Sequence, residues 1–394
     1  MKNSVNGYRG VTFVTCIAFI IYTYYSMLGF VHDTLTSHIN ICKLAICVIS
    51  IYSIIANGKL FLFNGMHKMW FAWALYFVFI ELVGYGIGIS PCISLYFAPA
   101  SYITAYYCVS HNNKNLRWMI YAFLVIFLLS IFMVFLDFKV NEVVFEDADK
   151  LNGNNLFFFV LCALPFIFLV KHPLISSTLY LLSLAICVIT LKRSAMIAMV
   201  CIALVYIYSL LLHKKRKGAW KSILTIISVG VIGFSMLTTK LEGYLTRASQ
   251  RIDNISEDEG SGRLPLYEDV ISHMKRNHDL SAWVIGAGYG SIVATNHTNA
   301  HNDALQMLYE FGIVGLMFYL WMLYIMFKKL LQLHKVKHEY FTAYATSAII
   351  VIMLGLVSNL VVFYSYFAFI TFFWGAIDGY TQTNKTTLPS NFQA

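Results

Sequence analysis

Charge is what this 394-residue chain has least of: Asp, Glu, Lys and Arg make up 12% of it, against about a quarter in an ordinary soluble domain. With 59% of residues hydrophobic, too little polar surface remains to cover a water-soluble globule of this size. The chain also lacks the apolar–polar alternation of barrel strands; its apolar residues come in continuous blocks of about twenty. Such a block matches the ~30 Å hydrocarbon core at about 1.5 Å per helical residue. None of the eight cysteines pairs with zinc-ligand spacing, so they read as small apolar packing residues. The first block, Val11 to Phe30, ends without a small-residue cleavage pattern and reads as a retained helix. Internal repeats and inverted pairs of broken helices, the marks of many secondary transporters, are missing too. These absences exclude a soluble enzyme, a secreted disulfide scaffold, a disordered regulator and an outer-membrane barrel. The expected fold class is an all-α polytopic membrane protein.

The apolar blocks predict twelve spans, at 11–30, 39–57, 68–88, 91–109, 117–136, 155–170, 174–191, 194–213, 220–238, 305–327, 341–362 and 364–380. The domain plan is nine helices over 1–238, a large external loop over 239–304, three more helices over 305–380, and a tail over 381–394. With the N-terminus inside, the basic runs Lys214–Lys217 and Lys328, Lys329, Lys335 and Lys337 are cytoplasmic, as are Lys2, Arg9, Lys59, Lys68, Lys114, Arg117 and Lys171. The outer turns hold few cations, so both termini are expected to be cytoplasmic. This asymmetry accounts for the net charge of +9, which is not read as nucleic-acid affinity. Two long segments then face outward: 137–154, which is acidic, and 239–304. Connections that long inside a compact protein are usually functional. Within the second, Leu266, Val270, Ile271 and Met274 share one face of a short amphipathic helix.

Some outward-facing residues have chemistry to offer. Arg193 sits in the turn Leu191-Lys192-Arg193-Ser194, where it is either an interfacial cation or a clamp for an anionic head group. Arg263, in Gly260-Ser261-Gly262-Arg263, lies on a flexible approach to the amphipathic helix, and its planar fork suits phosphate. Arg247 and Arg251 add positive charge to the same loop, as surface residues or as phosphate-steering ones. His301, in Ala300-His301-Asn302-Asp303, titrates near neutrality at the mouth of the tenth span, and Asp303 orients it or caps the helix. Gly286-Ala287-Gly288-Tyr289-Gly290 lacks a following Lys-Ser/Thr and reads as a tight turn. Glu81, an acid inside the third span, reads as a structural hydrogen-bonding group.

Taken in order, these residues resemble the O-antigen ligase/polymerase superfamily, whose two main branches are called Wzy and WaaL. The pattern is Arg193-Ser194, Gly262-Arg263 with Tyr267, the glycine-rich turn 286–290, His301-Asn302, and the segment Glu310-Phe311-Gly312-Ile313-Val314-Gly315-Leu316. The resemblance is specific over about 190–320; elsewhere it lies only in span number and loop placement. It implies a membrane-embedded glycosyltransferase of the GT-C type in the bacterial inner membrane, with its active site on the periplasmic side. The implied substrate is an undecaprenyl-diphosphate-linked oligosaccharide, used without metal or other cofactor, with a chain-length regulator as a further partner. Carried over, Arg193 and Arg263 hold the diphosphate and His301 is base or positioner for the acceptor hydroxyl. Arg247, Arg251, Tyr267 and Asn302 join them as substrate-binding candidates.

Within the superfamily, Ala-His-Asn-Asp followed by Leu305-Gln306 looks more like the polymerases. Ligases more often carry a second histidine two residues earlier, where this chain has Asn299. The expectation is an O-antigen polymerase, with a ligase acting on lipid A-core as the alternative. A flippase for the same lipid-linked sugars is a third reading, but it requires polar residues along a path through the spans, where only Glu81 is clearly acidic.

Overall fold

The computed structural model describes residues 2–29, 35–57, 65–80, 82, 89–144, 155–190, 192–212, 228, 259–296, 298–361 and 364–383. Every regular element among them is a helix. The first group is α1 (Lys2–Gly29), α2 (Thr36–Asn57), α3 (Gly65–Ile80), α4 (Ile89–His111), α5 (Asn115–Val144), α6 (Phe157–Ile167), α7 (Pro173–Thr190) and α8 (Arg193–Leu212). Three helices follow in the predicted loop: α9 (Glu259–Asn277), α10 (Leu280–Ile285) and α11 (Ser291–Asn296). The last group is α12 (Asp303–Lys335), α13 (Phe341–Val357) and α14 (Tyr364–Thr383).

Five stretches are long and apolar enough to cross a membrane: Tyr8–Gly29, Thr36–Ala56, Asn115–Asp137, Ser194–Leu211 and Asp303–Lys335. The chain is thus a helical, multi-pass membrane protein. Each predicted span but the ninth falls on a helix, and the ninth lies outside the described residues apart from a single position. Several boundaries differ from the sequence expectation: α1 begins at Lys2, α12 runs on to Lys335, and two further differences concern α5 and α13. Helix α5 continues to Val144, because nothing in Asp137–Val144 breaks a helix, so the acidic segment begins as an extension of it. Helix α13 stops at Val357, and Ser358 turns to extended backbone.

Lipid gives helices no hydrophobic reason to associate, so close packing of small residues and interhelical hydrogen bonds must hold the bundle together. The pair α4–α14 shows how. A Cβ on Gly375 would lie 2.1 Å from the Tyr102 carbonyl oxygen, and one on Gly379 would lie 2.6 Å from that of Tyr106. Four residues apart, these glycines let the two backbones touch, and Thr371 Oγ1 donates to the Ala98 carbonyl at 2.8 Å in the same seam. Around it, Phe19, Tyr22, Phe97, Phe123, Phe369 and Phe372 fill the core as edge-on, tilted and stacked rings. Helix α6 is buried along its whole length.

Side-chain contacts define the two ends of the bundle. At one, Lys329 Nζ pairs with Asp378 Oδ1 at 2.9 Å, Tyr102 donates to Asp378 Oδ2, and Tyr208 Oη lies 2.9 Å from His334 Nε2. These join the C-terminal parts of α4, α8, α12 and α14. At the other end, the starts of α6, α8, α12 and α14 meet the end of α13 and the helices of the loop. Arg263, Tyr267, His301 and Asn302 lie there.

Candidate functional site

The site is built around the start of α12. Asn302 is its N-cap: the side-chain Oδ1 accepts from Leu305 N at 3.0 Å, while Nδ2 donates to the Leu356 carbonyl at 3.3 Å. Asp303, expected to orient His301 or cap the helix, is not the cap. It is fully buried, and its carboxylate accepts from the amides of Leu360 (3.1 and 3.3 Å) and Val361 (3.0 Å). Those amides are freed where α13 stops, so a buried carboxyl is matched to orphaned donors and ties the 358–361 break to α12.

His301 precedes the cap with φ +52°, in the left-handed region that non-glycine residues seldom enter. Its backbone is held from two sides. Tyr267 Oη, reaching over from α9, donates to the His301 carbonyl at 3.2 Å, and the Ala300 amide donates to Gln306 Oε1 at 3.0 Å. Helix α9 contradicts the flexible approach expected before Arg263: it begins at Glu259 and carries Arg263 despite Gly260, Gly262 and Pro265. Packing overrides propensity here, since Val270 and Met274 are buried with Tyr309 and Ala300, and Leu266 packs against them. Ile271, expected on the same face, is exposed.

The glycine-rich turn frames the site from below. Gly286, Gly288 and Gly290 have φ of +88°, +97° and +74°, and the turn lies against a kink in α12 at Gly312, φ +64°. A Cβ on Gly286 would sit 2.1 Å from the Glu310 carbonyl oxygen, and one on Gly312 would sit 2.3 Å from that of Val284. Ala287 N and Gly288 N donate to the carbonyls of Tyr309 and Glu310. The Phe311 carbonyl accepts from Tyr76 Oη on α3 at 2.7 Å, and the same hydroxyl reaches Ile285 O at 3.1 Å. This is a tight turn, as the sequence suggested, and a backbone-to-backbone crossing besides.

Three basic side chains are brought together: Lys192, Arg263 and His301. Lys192, just before α8, donates from Nζ to Asn155 Oδ1 at 2.5 Å and stands 5.2 Å from the Phe158 ring centroid. Burial, with Arg263 nearby, pulls the Lys192 ammonium down to about 8. Burial first, then the charges of Arg263 and Lys192, lower the His301 imidazole below its ordinary 6.5. At neutral pH the site therefore holds two cations and an uncharged imidazole. Burial raises the Tyr267 phenol, opposed by Arg263 and by a hydrogen bond with Asn302, so it stays a proton donor.

Of the predicted residues, Arg263, Tyr267, His301 and Asn302 meet at this end of the bundle. Tyr267 and Asn302 spend hydrogen bonds on backbone, which makes them parts of the frame around His301. Arg193 opens α8 at the same place, though its side chain is outside the described residues, as are Arg247, Arg251 and Glu81. Lys192 is the residue that sequence reasoning passed over. It stands immediately before Arg193, and the family pattern drew attention to the arginine alone. Among the described residues no group of three or more His, Cys, Asp or Glu is placed to hold a metal ion.

The described residues form a bundle of apolar helices with Lys192, Arg263 and an uncharged His301 gathered at one end. Residues 178–320 match the Wzy_C family model, described as O-antigen ligase, and this supports the O-antigen ligase/polymerase superfamily for the chain. The matched stretch runs from within α7 to the middle of α12 and contains every residue of the site except those contributed by α3, α6 and the 356–361 segment. Polymerase and ligase branches are not separated by it. No curated protein matches the chain.

Proposed function

We propose that this protein is an O-antigen polymerase, transferring glycan from undecaprenyl diphosphate to another lipid-linked repeat unit. The observation that carries the reading is the meeting of Lys192 and Arg263 with a His301 whose imidazole is uncharged at neutral pH. The diphosphate sits against Lys192, Arg263 and Arg193, and the amino end of α8 adds partial positive charge. Arg247 and Arg251 steer the anion toward it. The acceptor hydroxyl oxygen attacks C1 of the donor sugar from the face opposite the diphosphate, and the C1–O bond to phosphate breaks. The electron pair stays on the phosphate oxygen, where the cations stabilise it. The hydroxyl proton goes to His301, and the anomeric centre inverts.

The same reading gives twelve crossings of the inner membrane in a GT-C-type fold, with both termini cytoplasmic. The end of the bundle carrying Lys328, Lys329, Lys335 and Lys337 is then inside, and the site faces the periplasm. A chain-length regulator is the natural protein partner. The Ala-His-Asn-Asp sequence with Asn299 favours polymerase over ligase. The lipopolysaccharide ladder of a deletion strain tests that choice: one repeat unit left on core is expected, whereas loss of every attached unit makes the protein a ligase.

A pH profile tests the site. The kcat/KM of the free enzyme is expected to be bell-shaped. Protonating His301 removes the base, so the acid limb falls below 6.5; deprotonating Lys192 removes a phosphate contact, so the alkaline limb falls near 8. In Lys192→Gln the alkaline limb should vanish, and the acid limb should move up toward 6.5, because a charge that lowers His301 is gone. An acid limb unmoved by that substitution contradicts the shared site.

A further inference from the structure

We infer that Gln306 and Glu310 are positioning residues for His301, a buried side-chain relay that holds the histidine's left-handed backbone in its working place. This rests on the reading of His301 as the base.

Gln306 and Glu310 lie one turn apart on α12, both about 1% exposed. Gln306 uses its carboxamide completely. Oε1 accepts from Ala300 N, the amide immediately before His301, at 3.0 Å. Nε2 donates to Asn299 Oδ1 at 3.0 Å and to Glu310 Oε1 at 2.9 Å. The Gly290 amide faces the Glu310 carboxyl, and the Gly288 amide donates to the Glu310 carbonyl, so the relay lies against both chain segments that approach α12, 286–290 and 299–302. No simpler role explains this. A buried carboxamide is costly inside an apolar helix unless it is satisfied, and here its bonds go to the Ala300 backbone, to Asn299 and to Glu310. The residue it reaches precedes one at φ +52°, a conformation that persists only when its surroundings impose it. Tyr267 fixes the carbonyl of His301, Gln306 fixes the amide before it, and Asn302 caps the helix after it. Within Glu310 it is Oε1 that the relay uses, accepting from Gln306 Nε2.

The test compares purified variants for kcat, donor KM and pH profile. Among the described residues the charged and titratable groups facing His301 are Lys192, Arg263 and Tyr267, and all stay unchanged. Gln306→Met keeps size and loses every hydrogen bond. It should lower kcat about tenfold to hundredfold, the loss a roughly 1 Å misplacement brings, with donor KM within about twofold of wild type. The acid limb should move as the imidazole leaves its place. Glu310→Gln keeps an acceptor for Gln306 and should retain most activity. In His301→Asn the further change Gln306→Met should cost nothing more, because Gln306 acts through the residue already removed.

Multiplying losses in that double variant overturn the relay while leaving His301 its role. So does a Glu310→Gln that is folded yet as inactive as His301→Asn, because the carboxylate then acts for itself. A fully active His301→Asn sinks the base reading, and the relay with it. Should Gln306→Met fail to fold, Asn299→Ala removes a single bond of the relay. It should show a smaller fall in kcat with an acid limb displaced in the same direction; an unmoved limb overturns the proposal.

Discussion

His301→Asn is expected to insert, purify and bind lipid-linked substrate as the unsubstituted protein does, yet lose about 10²–10⁴-fold in kcat. Asparagine is the right replacement because it tolerates left-handed backbone better than other non-glycine residues, so the φ of +52° at this position is no reason for misfolding. What it removes is, among Lys192, Arg263 and His301, the group that is both uncharged at neutral pH and able to take a proton there. Lys192 is largely protonated with its pKa near 8, and an arginine never gives its proton up. His172→Ala, an exposed histidine at the far end of α7, should be fully active and serves as the control. The comparison is made by steady-state transfer assay with donor binding measured separately. A folded His301→Asn that turns over within about threefold of wild type removes the histidine from the chemical step.

Gly286→Ala should be nearly as damaging for a different reason. Its Cβ would lie 2.1 Å from the Glu310 carbonyl oxygen and 2.4 Å from Phe311 N, both backbone atoms that cannot step aside, and its φ of +88° is strained for alanine in any space. Overpacking of about 1–3 kcal/mol adds to a left-handed penalty of about 1–2 kcal/mol. The crossing between the 286–290 turn and the α12 kink opens, and with it the two hydrogen bonds of Tyr76 and the floor of the site. A fall of roughly 5–10 °C in melting temperature is expected, together with loss of transfer. Gly290→Ala separates the two causes. Its φ is +74° but nothing lies within 4 Å of the added Cβ, so only the backbone cost applies. Equal damage from the two substitutions would contradict the close-crossing account.

Much of this was legible in the sequence because lipid imposes local rules. Continuous apolar blocks fix where helices run, and His301, Arg263 and Tyr267 could be singled out from a motif read in order. What stayed hidden depends on partners far along the chain. Asp303 looks like a helix cap until residues 358–361 arrive with free amides, fifty-odd positions later. The kink at Gly312 is set by a turn that begins at Gly286, and nothing within α12 announces it. Residues 259–262 favour a loop by propensity, yet α9 starts there because Val270 and Met274 have a surface to bury against. Lys192 and Arg193 are adjacent, and only the fold shows Lys192 facing Arg263 and His301. The α4–α14 seam follows from Gly375 and Gly379, whose spacing is visible in the sequence but whose partner helix is not.

The most direct test of the central claim is product stoichiometry from purified protein in lipid nanodiscs, given a polyprenyl-diphosphate-linked oligosaccharide as donor and acceptor. One polyprenyl diphosphate should be released for every glycosidic bond formed, and the double variant Lys192→Gln/Arg263→Gln should form almost none. Undiminished transfer by that double variant, or bond formation without diphosphate release, would contradict it.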